Sequence, residues 1–281
     1  YTLSLHDALP ISRRWGQHFL VDKAIRDVII DNAELKNEDT IIEVGVGRGI
    51  LTEVLVQKAG RVMGWEIDQE LYRLVQEKLK NYSNLTLWRE DFLSADLSFL
   101  SSFAPLKLVS NIPYAISSSL LSKIMESGLN WDLIILMVQW EFGEKILQEK
   151  GNPLAVGVHL LYKVEKIRGV FPGSFSPSPS VRSSILKFTP SSSPVGLSTY
   201  REVMHWVHFL FSQRRKQIEK LLRPLWGKEK TQRILAQAHI SPEWRAENLE
   251  IKHWIALVSQ LQVETIVDYQ SPGERRISLK D

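Results

Sequence analysis

Through the first two thirds of the chain, short apolar runs rich in β-branched residues alternate with stretches whose apolar positions recur at the helical period. Thr40–Val44, Arg61–Trp65, Leu85–Trp88 and Leu106–Ser110 read as strands, and the continuous apolar run Trp131–Val138 reads as a further buried one. Lys163–Val170 alternates, and Arg182–Thr189 is expected as the last strand. Helical patterns begin near Asp22, over Ile50–Leu55, near Gln69, and over Ser117–Glu126, Glu141–Lys150 and Leu154–Tyr162, with a break at Gly151-Asn152-Pro153. This alternation predicts an α/β fold, a Rossmann-like, doubly wound open parallel sheet. Phe171–Ser180 is a stiff loop of prolines and serines, and Pro190–Pro194 is a linker and candidate domain boundary. The remainder is helical in pattern, starting with amphipathic Tyr200–Phe211, and residues after about Val267 read as a tail. Residues 1–12 fit nothing that follows and are expected to be a scar foreign to the fold. That leaves 13–190 as the α/β domain and 191–281 as a smaller all-α domain with its tail.

Candidate chemistry collects where the strands end. After Thr40–Val44, Gly45-Val46-Gly47-Arg48-Gly49 places three glycines in five residues ahead of a helix, so bare backbone can approach a ligand there. The spacing differs from the dinucleotide fingerprint. Glu66 follows the second strand, where an acid suits a ribose diol. Asp91 follows the third and can accept from an adenine amino group, and Asn111 ends the fourth. In an open parallel sheet that edge is where ligands bind. Asn111-Ile112-Pro113-Tyr114 is a cradle for a planar base with an exocyclic amine. The amide oxygen of Asn111 and the carbonyl of Ile112 can accept its two N–H groups, Pro113 fixes the backbone, and Tyr114 can stack. Phe175, on the stiff loop, is a candidate second stacking face. Arg13–Leu20 is a basic and aromatic segment that reads as a lid, with Gln17 and His18 offering polar groups.

The net charge of +3 acquires meaning when divided: residues 191–281 carry 14 Lys+Arg against 10 Asp+Glu, and residues 1–190 carry 21 against 22. The C-terminal excess suits an anionic partner. Lys216, Lys220 and Arg223, spaced i, i+4, i+7, are expected on one helix face, and Ser212–Lys216 adds Arg214 and Arg215. With no cysteine there is no disulfide framework, thiolate zinc site or cysteine nucleophile. No clustered His/Asp/Glu pattern suggests a metal, and no run is long and apolar enough to suggest a membrane span. No secretory signal is expected, so the cytoplasm is the default.

The combined motifs resemble the S-adenosylmethionine-dependent rRNA adenine N6-dimethyltransferases, most closely the small-subunit type. The resemblance runs from about Arg13 to near Gln262. It rests on Gly16–Leu20, Glu43–Thr52, Glu66-Ile67-Asp68, Asp91, Asn111–Tyr114, Phe175–Ser183 and Phe211–Lys216. It implies S-adenosylmethionine contacts at Gln17, His18, Leu20, Gly45, Gly47, Glu66, Asp91 and Asn111, and target-adenine contacts at Asn111, Ile112, Tyr114 and Phe175. It further implies RNA contacts from the helical domain, for which Arg214, Arg215, Lys216, Lys220 and Arg223 are the candidates. The expected reaction is direct displacement by adenine N6 on the sulfonium methyl, without metal or covalent intermediate, after the base leaves its stack. The target would be two adjacent adenosines in a loop near the 3′ end of small-subunit rRNA, met by a monomer on the small ribosomal subunit or its precursor. His18 stands where the family usually has Asn. Two alternatives stay open: a large-subunit rRNA adenine methylase of the antibiotic-resistance type, and a ribosome-assembly factor with secondary catalysis.

Overall fold

The computed structural model describes residues 18–270, and of residues 263–270 the backbone only; Gln17, the segment 1–12 and the chain beyond Gln270 lie outside the described residues. The chain forms β1 (Phe19–Leu20), α1 (Lys23–Asn32), β2 (Thr40–Val44), α2 (Thr52–Lys58), β3 (Arg61–Trp65), α3 (Gln69–Lys78), β4 (Leu85–Trp88), β5 (Leu106–Asn111) and α4 (Ser117–Glu126). There follow β6 (Trp131–Gln139), α5 (Trp140–Ile146), α6 (Pro153–Leu161), β7 (Tyr162–Val170), β8 (Phe175–Ser176), β9 (Ser183–Pro190), α7 (Leu197–Ser212), α8 (Ile218–Gln237) and α9 (Ile251–Gln270). Two compact units result: residues up to Leu147 with Leu161–Pro194, and Gln148–Leu160 with the chain from Val195.

In the first unit seven strands form one sheet in the order β4-β3-β2-β5-β6-β9-β7. β2 to β6 pair in parallel, while β9 runs antiparallel to both β6 and β7. β9 returns from β7 through a loop with no crossover helix, which permits only the antiparallel direction. Ile41, Val62, Val109, Ile135 and Ile185 share one apolar cluster with Ile25, Ile29 and Ile30 of α1 and Leu55 and Val56 of α2. Aspartates start two of the helices: Asp22 accepts from the N–H groups of Ala24 and Ile25, and Asp68 from those of Glu70 and Leu71. From β2 the chain winds outward through β3 and β4, then returns to the other side of β2 as β5. The β2–β5 gap is thus the topological switch point, where an open sheet offers a crevice.

The first unit also holds a pairing with no local signal: β1 and β8 form a two-stranded ribbon, Leu20 opposite Phe175. Serine ties it down, since the Ser174 carbonyl accepts from the Val21 N–H at 2.9 Å and its hydroxyl donates to Asp22 at 2.9 Å.

Two expectations are corrected between Glu141 and Leu160. The helix expected over Glu141–Lys150 stops at Ile146, with Leu147 as its C-cap, and Asn152 starts the next helix. Its side chain accepts from the Ala155 N–H at 2.8 Å, and Pro153 fits the first turn of α6. Residues 148–160, read by sequence with the α/β domain, cluster with the helical unit. In α6, Ala155, Val156, Val158 and Leu160 are all buried. Gly157 leaves room for α7, since a Cβ there would lie 3.0 Å from the Tyr200 hydroxyl and 3.2 Å from the Met204 sulfur. α8 is kinked at Gly227 (φ 73°), just beyond Pro224. α9 continues to Gln270, past the expected start of the tail.

Candidate active site

At the switch point β2 and β5 part. Their register ends at Ile42–Leu108, and beyond it the Val44 N–H donates to the Ser110 hydroxyl at 2.8 Å. The chain leaving β2 turns through Gly45, Gly47 and Gly49 with φ of +72°, +59° and +76°. Those left-handed conformations are open to glycine at no steric cost. A Cβ on Gly47 would touch the Phe19 ring at 3.4 Å, and the Arg48 guanidinium lies over that ring at 4.7 Å. β1 therefore packs directly on the glycine loop.

A cavity opens here, within the first unit. The expected cofactor residues His18, Leu20, Gly45, Gly47, Glu66, Asp91 and Asn111 all line it, as do Ile112 and Tyr114. Gln17 lies outside the described residues. Glu66 is buried, and its two oxygens accept from the Gly47 N–H at 2.8 Å and the Asp68 N–H at 2.9 Å. Burial raises its pKa above the usual carboxylate range, while those hydrogen bonds oppose the rise. Asp91 folds one oxygen onto the Leu93 N–H at 2.9 Å; its other oxygen has no hydrogen bond among the described residues. The Asn111 side chain likewise has none there, although it stands at the cavity wall. Tyr114 is half-buried, and its hydroxyl meets that of Ser183 at 2.6 Å. The His18 Nδ1–H donates to the Pro177 carbonyl at 2.8 Å, and its ring centroid lies 5.9 Å from that of Tyr114.

Several lining residues were not singled out from sequence. Glu43 is 1% exposed and accepts from the Thr52 hydroxyl at 2.7 Å. Burial, and secondarily the neighbouring Glu66, push its carboxyl up to about 8. Trp65 stacks on Trp88 at 4.4 Å and meets the edge of Phe92 at 5.2 Å, forming an aromatic wall, and Ile67 adds an exposed apolar side chain beside Glu66. These neighbours of the acidic strand ends carried a signal in their position alone. Lys123 of α4 donates to the carbonyls of Leu93 at 2.9 Å and Ala95 at 2.6 Å, tying down the loop that bears Asp91.

Two expectations about side-chain placement fail. Phe175 is not a cavity face: it is 4% exposed, packed into the apolar cluster of α1 and α2 because its strand pairs with Leu20. Lys216 is not on the helix with Lys220 and Arg223. The Lys216 N–H closes a turn on the Gln213 carbonyl at 2.8 Å. α8 begins two residues later, where the buried Ile218 donates its N–H to the Trp244 carbonyl at 2.8 Å. All five basic residues of this region are exposed; Arg214 pairs with Glu247 at 3.3 Å. Among the described residues no His/Cys/Asp/Glu group could hold a metal ion, and no helix is long and apolar enough to cross a membrane.

Known proteins share both the sequence and the shape. The family described as Ribosomal RNA adenine dimethylase matches residues 9–263, reaching into the segment set apart by sequence. Ribosomal RNA small subunit methyltransferase A of Clostridium botulinum is 33% identical over 250 residues, 86% of this chain and 91% of that one. A dimethyladenosine transferase from Plasmodium falciparum superposes with a TM-score of 0.76 at 26% identity, over 88% of this chain and 98% of that one. The 23S rRNA methyltransferase ErmE shares the fold, with a TM-score of 0.70 at 24% identity over 87% of this chain and 99% of its own.

Proposed function

Because the chain belongs to the ribosomal RNA adenine dimethylase family, we propose that it dimethylates the N6 amines of two adjacent adenosines in a loop near the 3′ end of small-subunit rRNA. It is an S-adenosylmethionine-dependent enzyme. The observation that carries the site assignment is the Asn111 amide, without a described hydrogen-bond partner, in one cavity with the glycine loop, Glu66 and Asp91.

That cavity fits the cofactor. Glycines at positive φ bring bare backbone to it. Glu66 has spent one acceptor site on each oxygen and keeps capacity for a ribose diol. The free oxygen of Asp91 suits an adenine amino group, and Ile67 and Phe92 offer apolar faces to a purine. S-adenosylmethionine supplies an electrophilic methyl on a sulfonium, so the protein has no leaving group to activate.

The protein's task is to aim a poor nucleophile, since the N6 lone pair is delocalised into the adenine ring. Asn111 and the Ile112 carbonyl accept from the amine N–H groups and favour a pyramidal nitrogen, with its lone pair turned out of the ring plane. Pro113, at φ −56° and ψ 132°, fixes the direction of those acceptors, and Tyr114 stacks on the base. Positioning and electrostatics supply the catalysis. Arg214, Arg215, Lys216, Lys220 and Arg223 contact phosphates of the folded RNA. The same reading has the chain act as a monomer in the cytoplasm, on the small ribosomal subunit or its precursor.

The test is transfer of labelled methyl to unmethylated small subunits and, in parallel, to large-subunit rRNA. Label recovered as N6,N6-dimethyladenosine in the small subunit alone is expected; label in the large-subunit RNA would assign the other target. Asn111→Ala is expected to lower transfer at least about a hundredfold with RNA binding retained. Turnover near wild type by that variant would remove Asn111 from the mechanism.

A further inference from the structure

The segment Phe171–Ser183 stands out in the sequence, yet its aromatic Phe175 is buried away from the cavity. Its polar atoms reach the site instead. At one end of its stretch Pro177–Ser183, the Pro177 carbonyl takes the Nδ1–H of His18, whose ring flanks Tyr114. At the other, the Ser183 hydroxyl meets the Tyr114 hydroxyl at 2.6 Å. Ser183 is 0% exposed and is held from both sides, opposite Gln139 of β6 and Val170 of β7. Phe175 and Leu20 anchor the segment in the core, and the segment in turn grips a side chain at the cavity wall.

We propose that Ser183 is a positioning residue for the target base, acting through Tyr114; this rests on the methyltransferase reading above. A tyrosine on a turn following a proline is fixed only at its Cβ, and its ring can swing about two side-chain torsions. A hydrogen bond at the tip to a hydroxyl embedded in a three-strand ladder stops that swing. A stacking face must hold its angle within about 10–20° for the amine to stay aimed. Burial raises the Tyr114 pKa, which favours the neutral hydroxyl that this bond uses. The sequence motif thus serves the reaction by setting the plane on which the base lies.

The experiment is a double-mutant cycle on the full chain, with unmethylated small subunits as substrate and S-adenosylmethionine saturating. Ser183→Ala and Tyr114→Phe are each expected to lower kcat about tenfold, the loss of one buried hydrogen bond expressed as positioning. The affinity for S-adenosylmethionine, read by calorimetry, should be unchanged in both. The double variant should fall no further than either single one, because both remove the same bond. Multiplying defects, or wild-type kcat in Ser183→Ala, would overturn the proposal. Should Ser183→Ala prove unstable, Tyr114→Phe keeps the ring and carries the prediction alone: wild-type kcat there overturns it too. Absence of transfer by the unaltered protein with cofactor bound would sink the methyltransferase reading itself, a different result from an active enzyme indifferent to Ser183.

Discussion

Glu43 and Glu66 lie at the ends of neighbouring strands and both line the cavity; burial raises both carboxyls, and Glu66 accepts from two backbone N–H groups where Glu43 accepts from the Thr52 hydroxyl. Glu43, at about 8 against an ordinary 4.5, holds a proton in the fold that the unfolded chain has already released. Extra proton binding by the folded state makes stability fall as pH rises from about 4.5 through about 8, at a rate approaching about 1.4 kcal/mol for each pH increment of one within that window. Glu43→Gln removes that titration, so the variant is expected to lose less stability than wild type between roughly pH 6 and 9 in urea unfolding. Equal losses would mean that Glu43 is charged in the fold. At this scale the sequence is informative wherever a chemical group ends an apolar run, and Glu66, Asp91 and Asn111 are all legible in that way. Phe175 is not, because its burial depends on pairing with Leu20, far upstream, and nothing near Phe175 records that partner.

Among the elements, α4 does two things: it follows the Asn111–Tyr114 turn, and through Lys123 it holds the Leu93 and Ala95 carbonyls. The loop bearing Asp91 is thereby tied to the helix that follows the target-base cradle. Lys123→Met keeps the length and removes the donors. It is expected to weaken S-adenosylmethionine binding by roughly five- to tenfold, the net worth of about one ordinary hydrogen bond, while leaving RNA affinity unchanged. Calorimetry with the cofactor checks this; unchanged affinity would show that the turn Asp91 makes with Leu93 suffices alone. Strand and helix positions are legible because the burial of β2, β5 and β6 writes apolar runs into the chain. The early end of α5 and the late start of α8 are not. Leu147-Gln148-Glu149-Lys150 are all good helix formers, so nothing in them marks the first, and the burial of Ile218 accompanies the second.

For the whole molecule, the basic excess near the end of the chain gives a salt-dependent expectation. Reversing charge at Arg214, Arg215 and Lys216 should weaken rRNA binding and lower the salt slope by roughly one per lost phosphate contact. Arg214, already paired with Glu247, should contribute least. An unchanged slope measured by filter binding across salt concentrations would place the RNA surface elsewhere. The division into an α/β part and a helical part is readable from the change of period after Pro190, but the membership of α6 is not. An apolar helix announces that it will be buried and says nothing about where. Because the chain leaves the α/β unit after Leu147, lends α6 to the helical unit and comes back before closing the sheet with β7 and β9, the two units are stitched at three places. They are not exchangeable cassettes. A chimera that swaps helical units with a relative at the Pro190–Pro194 linker would strand Val156, Val158 and Leu160 against a foreign partner and should come out insoluble, whereas one that also carries over residues 148–160 should fold.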